Sequence, residues 1–146
     1  MAALNRLAVD GVLTGRVGGV LAEAGMTAAG VPNPHLEDPL SWALRLLGYS
    51  PALLATVSDA DLALVAAGHV DALLDLAELR ALESVLTNLV KVDTKAGPVD
   101  EAWASLGDRL ATLVPAKRKA VAAMYGGLLV RPLDGTSLRV PVLRAL

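Results

Sequence analysis

The chain has 146 residues, enough for one compact domain with a sizeable core. Hydrophobic residues make up 54% of it and charged residues 19%, below the roughly 25% charged of an ordinary soluble domain. The absence of cysteine excludes a disulfide framework or thiolate metal site, and no apolar run approaches the roughly 18 residues of a membrane span.

Phe is absent, and the aromatic set is Trp42, Trp103, Tyr49 and Tyr125. The apolar mass is therefore Leu, Ala and Val, and Leu and Ala favour helix. So much apolar side chain either fills a core completely or faces a partner. Asp10 and the glycines at 11, 15, 18 and 19 interrupt any signal-peptide pattern at the start.

In chain order, Leu4, Leu7, Val12, Leu13, Val17, Val20 and Leu21 predict a helix over about 11–24, weakened by the glycines. Those glycines mark close packing or a mobile segment. Gly25 to His35 reads as a loop. Asp38 is placed as an N-cap with Pro39 at the first helical position, and the helix through Leu47 stops at Gly48. Ser58 caps a short helix, Leu62 to Ala67, helped by Asp59 and Asp61.

Gly68-His69 separates that helix from a long one over about Val70 to Val90. Leu79, Leu82, Val85, Leu86 and Leu89 form its stripe. Asp71, Asp75 and Glu78 share nearly that face in the first turns, so the buried face is expected to change along the helix. Lys91 to Gly97 reads as a polar loop, and Pro98 opens a helix to about residue 125. Trp103, Leu106, Leu110 and Leu113 repeat the stripe, with Val121 and Met124 continuing it and Pro115 expected to kink or break it. The two stripes predict a long antiparallel helical hairpin.

The fold class expected is thus mainly α. It comprises a small helical bundle over 1–127 and a C-terminal tail over 128–146, either extended or a β-hairpin about Asp134-Gly135. Pro132 restricts its first run to an edge strand.

Catalytic machinery is hard to assemble from these residues. There is no Cys, no nucleophile elbow, and neither histidine is tied to a serine. The early glycines lack the Lys and Ser/Thr of a phosphate loop. His35 lies near Glu37 and Asp38, but Pro34 and the cap role of Asp38 explain that cluster without a metal. His69 beside Asp71 reads as a polar junction. No enzyme activity and no cofactor is expected.

Binding is better served. Asp71, Asp75 and Glu78 are either a solvated face or a lateral strip for cations of a neighbouring subunit. Lys117, Arg118 and Lys119 are either a solvated turn or a contact for an acidic partner or phosphates. Residues 1–116 carry seven Lys/Arg against fourteen Asp/Glu, and residues 117–146 carry six against one. An acidic body with a basic end suits head-to-tail association. Leu138, Val140, Val142, Leu143 and Leu146, punctuated by Arg131, Arg139 and Arg144, either fold back onto the core or engage another protein.

The stretch Asp71 to Leu89, the following Val92-Asp-Thr-Lys-Ala-Gly-Pro98, a long helix ending Tyr125-Gly-Gly and a short apolar tail together resemble the head–tail adaptor (connector) proteins of tailed bacteriophages and prophages. The likeness covers roughly residues 70 to 130. It implies a helical subunit of a homo-oligomeric ring, commonly of twelve copies. Such a ring sits in the virion neck between the portal and the tail or neck proteins, after assembly in the host cytoplasm. It implies terminal segments that clasp the portal, DNA only as cargo in the channel, no membrane and no catalytic residues. Pro115 and the glycine-rich start depart from the family pattern. The competing reading is a small helical DNA-binding regulator using Ser50 to Gly68, although Ser58 to Gly68 has two aspartates and no Lys or Arg.

Overall fold

The first helix begins earlier than the glycines suggested. Asn5 is its N-cap, its side chain accepting the Ala8 N–H at 2.9 Å, and α1 spans Arg6–Glu23. The glycines do not break it, because its inner face is complete: Val9, Leu13, Val17 and Leu21 are all buried. A computed structural model describes residues 4–26, 30–53, 55–96 and 101–133.

A 3₁₀ turn, Pro34–Leu36, capped by Asn33, leads into α2, Glu37–Leu46. Asp38 is therefore not the cap; it lies in the first turn of α2, where its negative charge favours the helix N-terminus. Gly48 ends the element with φ +95°, a conformation costly for any residue with a Cβ. Ser58 does cap α3, Asp59–Ala63, through a full capping box with Asp61. α3 starts earlier and is shorter than expected, because Asp59 and Asp61 belong to its first turn.

A 3₁₀ turn at Ala67–His69 opens directly into α4, Val70–Ala96. The polar loop expected from Lys91 is instead helical to Ala96, since Lys, Val, Asp and Thr there are tolerated in helices. α5 spans Glu101–Tyr125, followed by a 3₁₀ turn, Gly126–Leu128. Pro115 sits inside α5 without ending it. Ala111 and Pro115 are both exposed, so water can satisfy the carbonyl that loses its N–H partner.

The protein is mainly helical, and no strand occurs among the described residues. The expected turn at Asp134-Gly135 lies outside them. α4 is the central helix, packed against α1, α2 and α5. Its first half does not switch faces so much as lie enclosed: Ala72, Leu73, Leu76, Ala77 and Leu79 are all fully buried. Leu13, Leu40, Leu44, Leu62, Leu106 and Leu110 complete the core, each worth roughly 1.5–3 kcal/mol when fully buried. On α5 the seam advances from Leu106 and Leu110 to Val114 and Val121. Leu113 and Met124, expected on that seam, face solvent; the buried line steps by four from Leu106 through Leu110 to Val114 and so passes Leu113 by.

Candidate assembly surface

The acidic strip of α4 meets cations of its own chain. Arg16 on α1 donates from Nη1 to Asp75 Oδ1 at 2.8 Å and to Glu78 Oε1 at 3.1 Å. Lys117 on α5 pairs with Glu78 Oε2 at 3.1 Å. Tyr125 donates its hydroxyl to Asp75 Oδ2 at 2.6 Å. One turn further along α4, Glu83 accepts from Arg118, which also donates to the Leu133 carbonyl at 2.7 Å.

Of the six charges proposed for a lateral contact, Asp75, Glu78, Lys117 and Arg118 thus tie α1, α4 and α5 together within one chain. Asp71 and Lys119 remain exposed. Sequence spacing identified the strip but not its partners, because Arg16 is isolated on a glycine-rich helix. The Tyr125 phenol is pushed up to about 12 by the hydrogen bond to Asp75, with burial and the charges of Asp75 and Asp71 adding to it and Arg16 opposing.

A second polar cluster had no part in the sequence reading. Arg6 is 4% exposed and uses all five of its N–H groups. Nε and Nη2 donate to the two carboxylate oxygens of Asp10 at 2.9 and 3.0 Å. Nη1 donates to Glu37 Oε1 and to the Val57 carbonyl, and Nη2 also reaches the Asn33 carbonyl. Asp10 in turn accepts the Asn33 N–H at 2.8 Å, and Glu37 accepts the Val57 N–H at 3.0 Å. This network fastens the start of α1 to the loop before α2 and to the segment entering α3. The i, i+4 spacing of Arg6 and Asp10 was its only local signal.

The histidines have structural partners. The His35 backbone N–H is held by Asn33 Oδ1 at 2.9 Å. The Tyr49 hydroxyl oxygen accepts the Ala66 N–H at 2.9 Å and shares a hydrogen bond of 2.7 Å with His69 Nδ1. No group of three or more His, Asp or Glu suited to a metal occurs among the described residues. In the segment weighed for DNA contact, Asp59 accepts the Arg6 N–H and Asp61 accepts those of Ala52 and Ser58. The Ser58 N–H foremost, with the Ala52 N–H and the Ser58 hydroxyl, holds the Asp61 carboxyl below the usual range against the opposing pull of burial.

The outer surface is apolar in places. Leu64 is 75% exposed, Leu7 72% and Met124 68%, with Leu53 and Val130 also well exposed. On α1, exposed Gly11, Gly15 and Gly19 line up at i, i+4, i+8, flanked by Leu7 and Val12. A Cβ added at any of these three would meet nothing within 4 Å, so the glycines do not serve close packing inside the chain. Of the tail residues expected to bind a partner, Arg131 is exposed. Leu138, Arg139, Val140, Val142, Leu143, Arg144 and Leu146 lie outside the described residues. No helix among the described residues is long and apolar enough to cross a membrane. No family model, curated protein or solved structure matches the chain.

Proposed function

We propose that this chain is a structural subunit that works by associating with other subunits, as a head–tail adaptor ring between the portal and the tail of a tailed bacteriophage. The observation that carries this reading is apolar side chain left in water. Leu7, Leu53, Leu64, Met124 and Val130 are exposed on a chain with only 19% charged residues, and such surface favours contact with other proteins. The two long helices, read as one antiparallel hairpin, give the subunit a stiff axis. A ring requires two complementary lateral faces. The exposed face of α1 and the outer face of α5, with Leu113 and Met124, are suited to that role. The basic, apolar end over 134–146 is read as the grip on the portal.

The test is reconstitution with the portal protein encoded in the same genome. Native mass spectrometry of the full chain is expected to show a closed oligomer, near twelve copies, that joins the portal ring. A chain lacking 134–146 is expected to keep its helical circular dichroism and lose the portal. A stable monomer with no affinity for the portal overturns the reading.

A further inference from the structure

The backbone that rounds the end of α5 is pinned to the bundle on both sides. Before the 3₁₀ turn, Tyr125 donates its hydroxyl to Asp75 near the start of α4. After it, the Val130 N–H donates to the Leu46 carbonyl at the end of α2, at 2.8 Å, and the Val130 Cγ1 methyl rests against Gly48. Leu133 is buried, and Arg118 holds its carbonyl. What this fixed turn presents outward is apolar. Met124, Leu128, Val130 and Pro132 are exposed, with exposed Gly126 and Gly127 among them. They follow closely in the chain and so form one continuous corner. Arg131 is the single charged residue between Ala123 and Pro132.

Two exposed charges stand at the edges of the corner. Arg131 is on the α2 side, next to the residue that meets Leu46 and Gly48. Asp71 is on the α1 side. It lies one turn before Asp75 on α4, and Asp75 is where Arg16 of α1 and Tyr125 both arrive. Neither Asp71 nor Arg131 enters an ion pair among the described residues. We propose that this corner is an interface between two copies of the chain related by a two-fold axis. Met124, Leu128 and Val130 of one copy pack on the same residues of the other, and Asp71 of each copy faces Arg131 of the other.

Charge complementarity selects this occupant. A partner for the corner needs an apolar centre, a cation opposite Asp71 and an acid opposite Arg131. A second copy turned by 180° supplies all three from the same surface. The pinned backbone keeps the ordering cost of pairing low. The size of the corner sets the strength. A contact of this extent falls below the roughly 1,200 Å² of total buried area at which standard interfaces begin, among the weak, transient ones. The pair forms whether or not the chain serves as an adaptor.

The absence of cysteine lets a cross-link read this contact by itself, whatever larger ring is present. Leu128→Cys in the full chain, treated with a short bis-maleimide, is expected to give covalent dimers on a denaturing gel. Their rate should exceed by about tenfold that of Ala60→Cys, an exposed site on α3, through higher effective concentration. Adding Asp71→Arg, or Arg131→Asp, to Leu128→Cys sets like charges opposite one another twice in the pair, and should slow dimer formation about tenfold. Mixing these two double variants restores opposite charges at both edges, and mixed dimers are expected at about the Leu128→Cys rate. Should Asp71→Arg disturb the start of α4, seen as lost helical circular dichroism, Arg131→Asp on the exposed turn carries the test. Dimers that form no faster than those of Ala60→Cys overturn the proposal. Dimers indifferent to charge reversal overturn it too, and portal binding is scored separately from either result.

Discussion

Arg6 and Asp10, one turn apart on α1, form a two-bonded ion pair with both side chains at most 5% exposed. A guanidinium so enclosed is held only by the groups that satisfy it, and Glu37 and two carbonyls complete the set. Removing one partner strands the others without water. Arg6→Met is therefore expected to cost about 3–5 kcal/mol of unfolding free energy, read by urea denaturation with circular dichroism. Replacing Arg6, Asp10 and Glu37 together by apolar residues of similar size should recover most of that loss. A single Arg6→Met variant as stable as the parent would show that the network does not hold α1 in place.

The Asp75–Tyr125 bond gives a spectroscopic signature. The phenol donates to a carboxylate, so ionising it costs the bond and sets two negative charges side by side. A tyrosine with its pKa raised from 10 to about 12 lends stability that is fully present below pH 10 and is lost as the pH climbs toward 12. Ultraviolet titration should show one phenol ionising near 12. Asp75→Asn should bring that phenol back toward 10, and an unchanged titration would contradict the assigned contact.

The open glycine line of α1 predicts a gain. Gly15→Ala adds a methyl where nothing lies within 4 Å, in a helix interior where Ala is favoured by roughly 0.5–1 kcal/mol. Thermal unfolding of the subunit should shift upward. If this face meets a neighbouring subunit closely, the same variant, or better Gly15→Leu, should weaken the oligomer while leaving the subunit folded. Mass measurement separates the two effects.

How much of this was legible beforehand depends on how local each signal was. Ser58, Asp61 and Gly48 were readable because caps and stops act within one turn. The stripe of Leu79, Leu82, Val85 and Leu89 was readable because period is a property of one helix. The neighbours of the Asp75 and Glu78 carboxylates were not readable, since Arg16 and Lys117 arrive from distant parts of the chain. Asp38 shows the same limit: spacing marked it as a cap, whereas it pairs with Arg80 at 3.0 Å, whose guanidinium also lies 5.3 Å above the Trp42 ring. The start of α1 was missed because glycine propensity outweighed an inner face that tertiary packing completes.

Pro115 offers the last test, because propensity and packing disagree there. A proline in a helix interior removes one N–H and crowds the carbonyl four residues back, at about 3 kcal/mol or more. Here that carbonyl belongs to exposed Ala111, and Val114 beside the proline still reaches the core. Water at the exposed carbonyl offsets part of the cost while the buried face stays intact. Pro115→Ala should therefore restore a hydrogen bond at an exposed site and raise subunit stability by about 1–3 kcal/mol, seen as a higher denaturation midpoint with an unchanged slope. A lower midpoint would mean that the ring of Pro115 makes a contact more valuable than the bond it removes. The place to look for that contact would be a partner subunit against the outer face of α5.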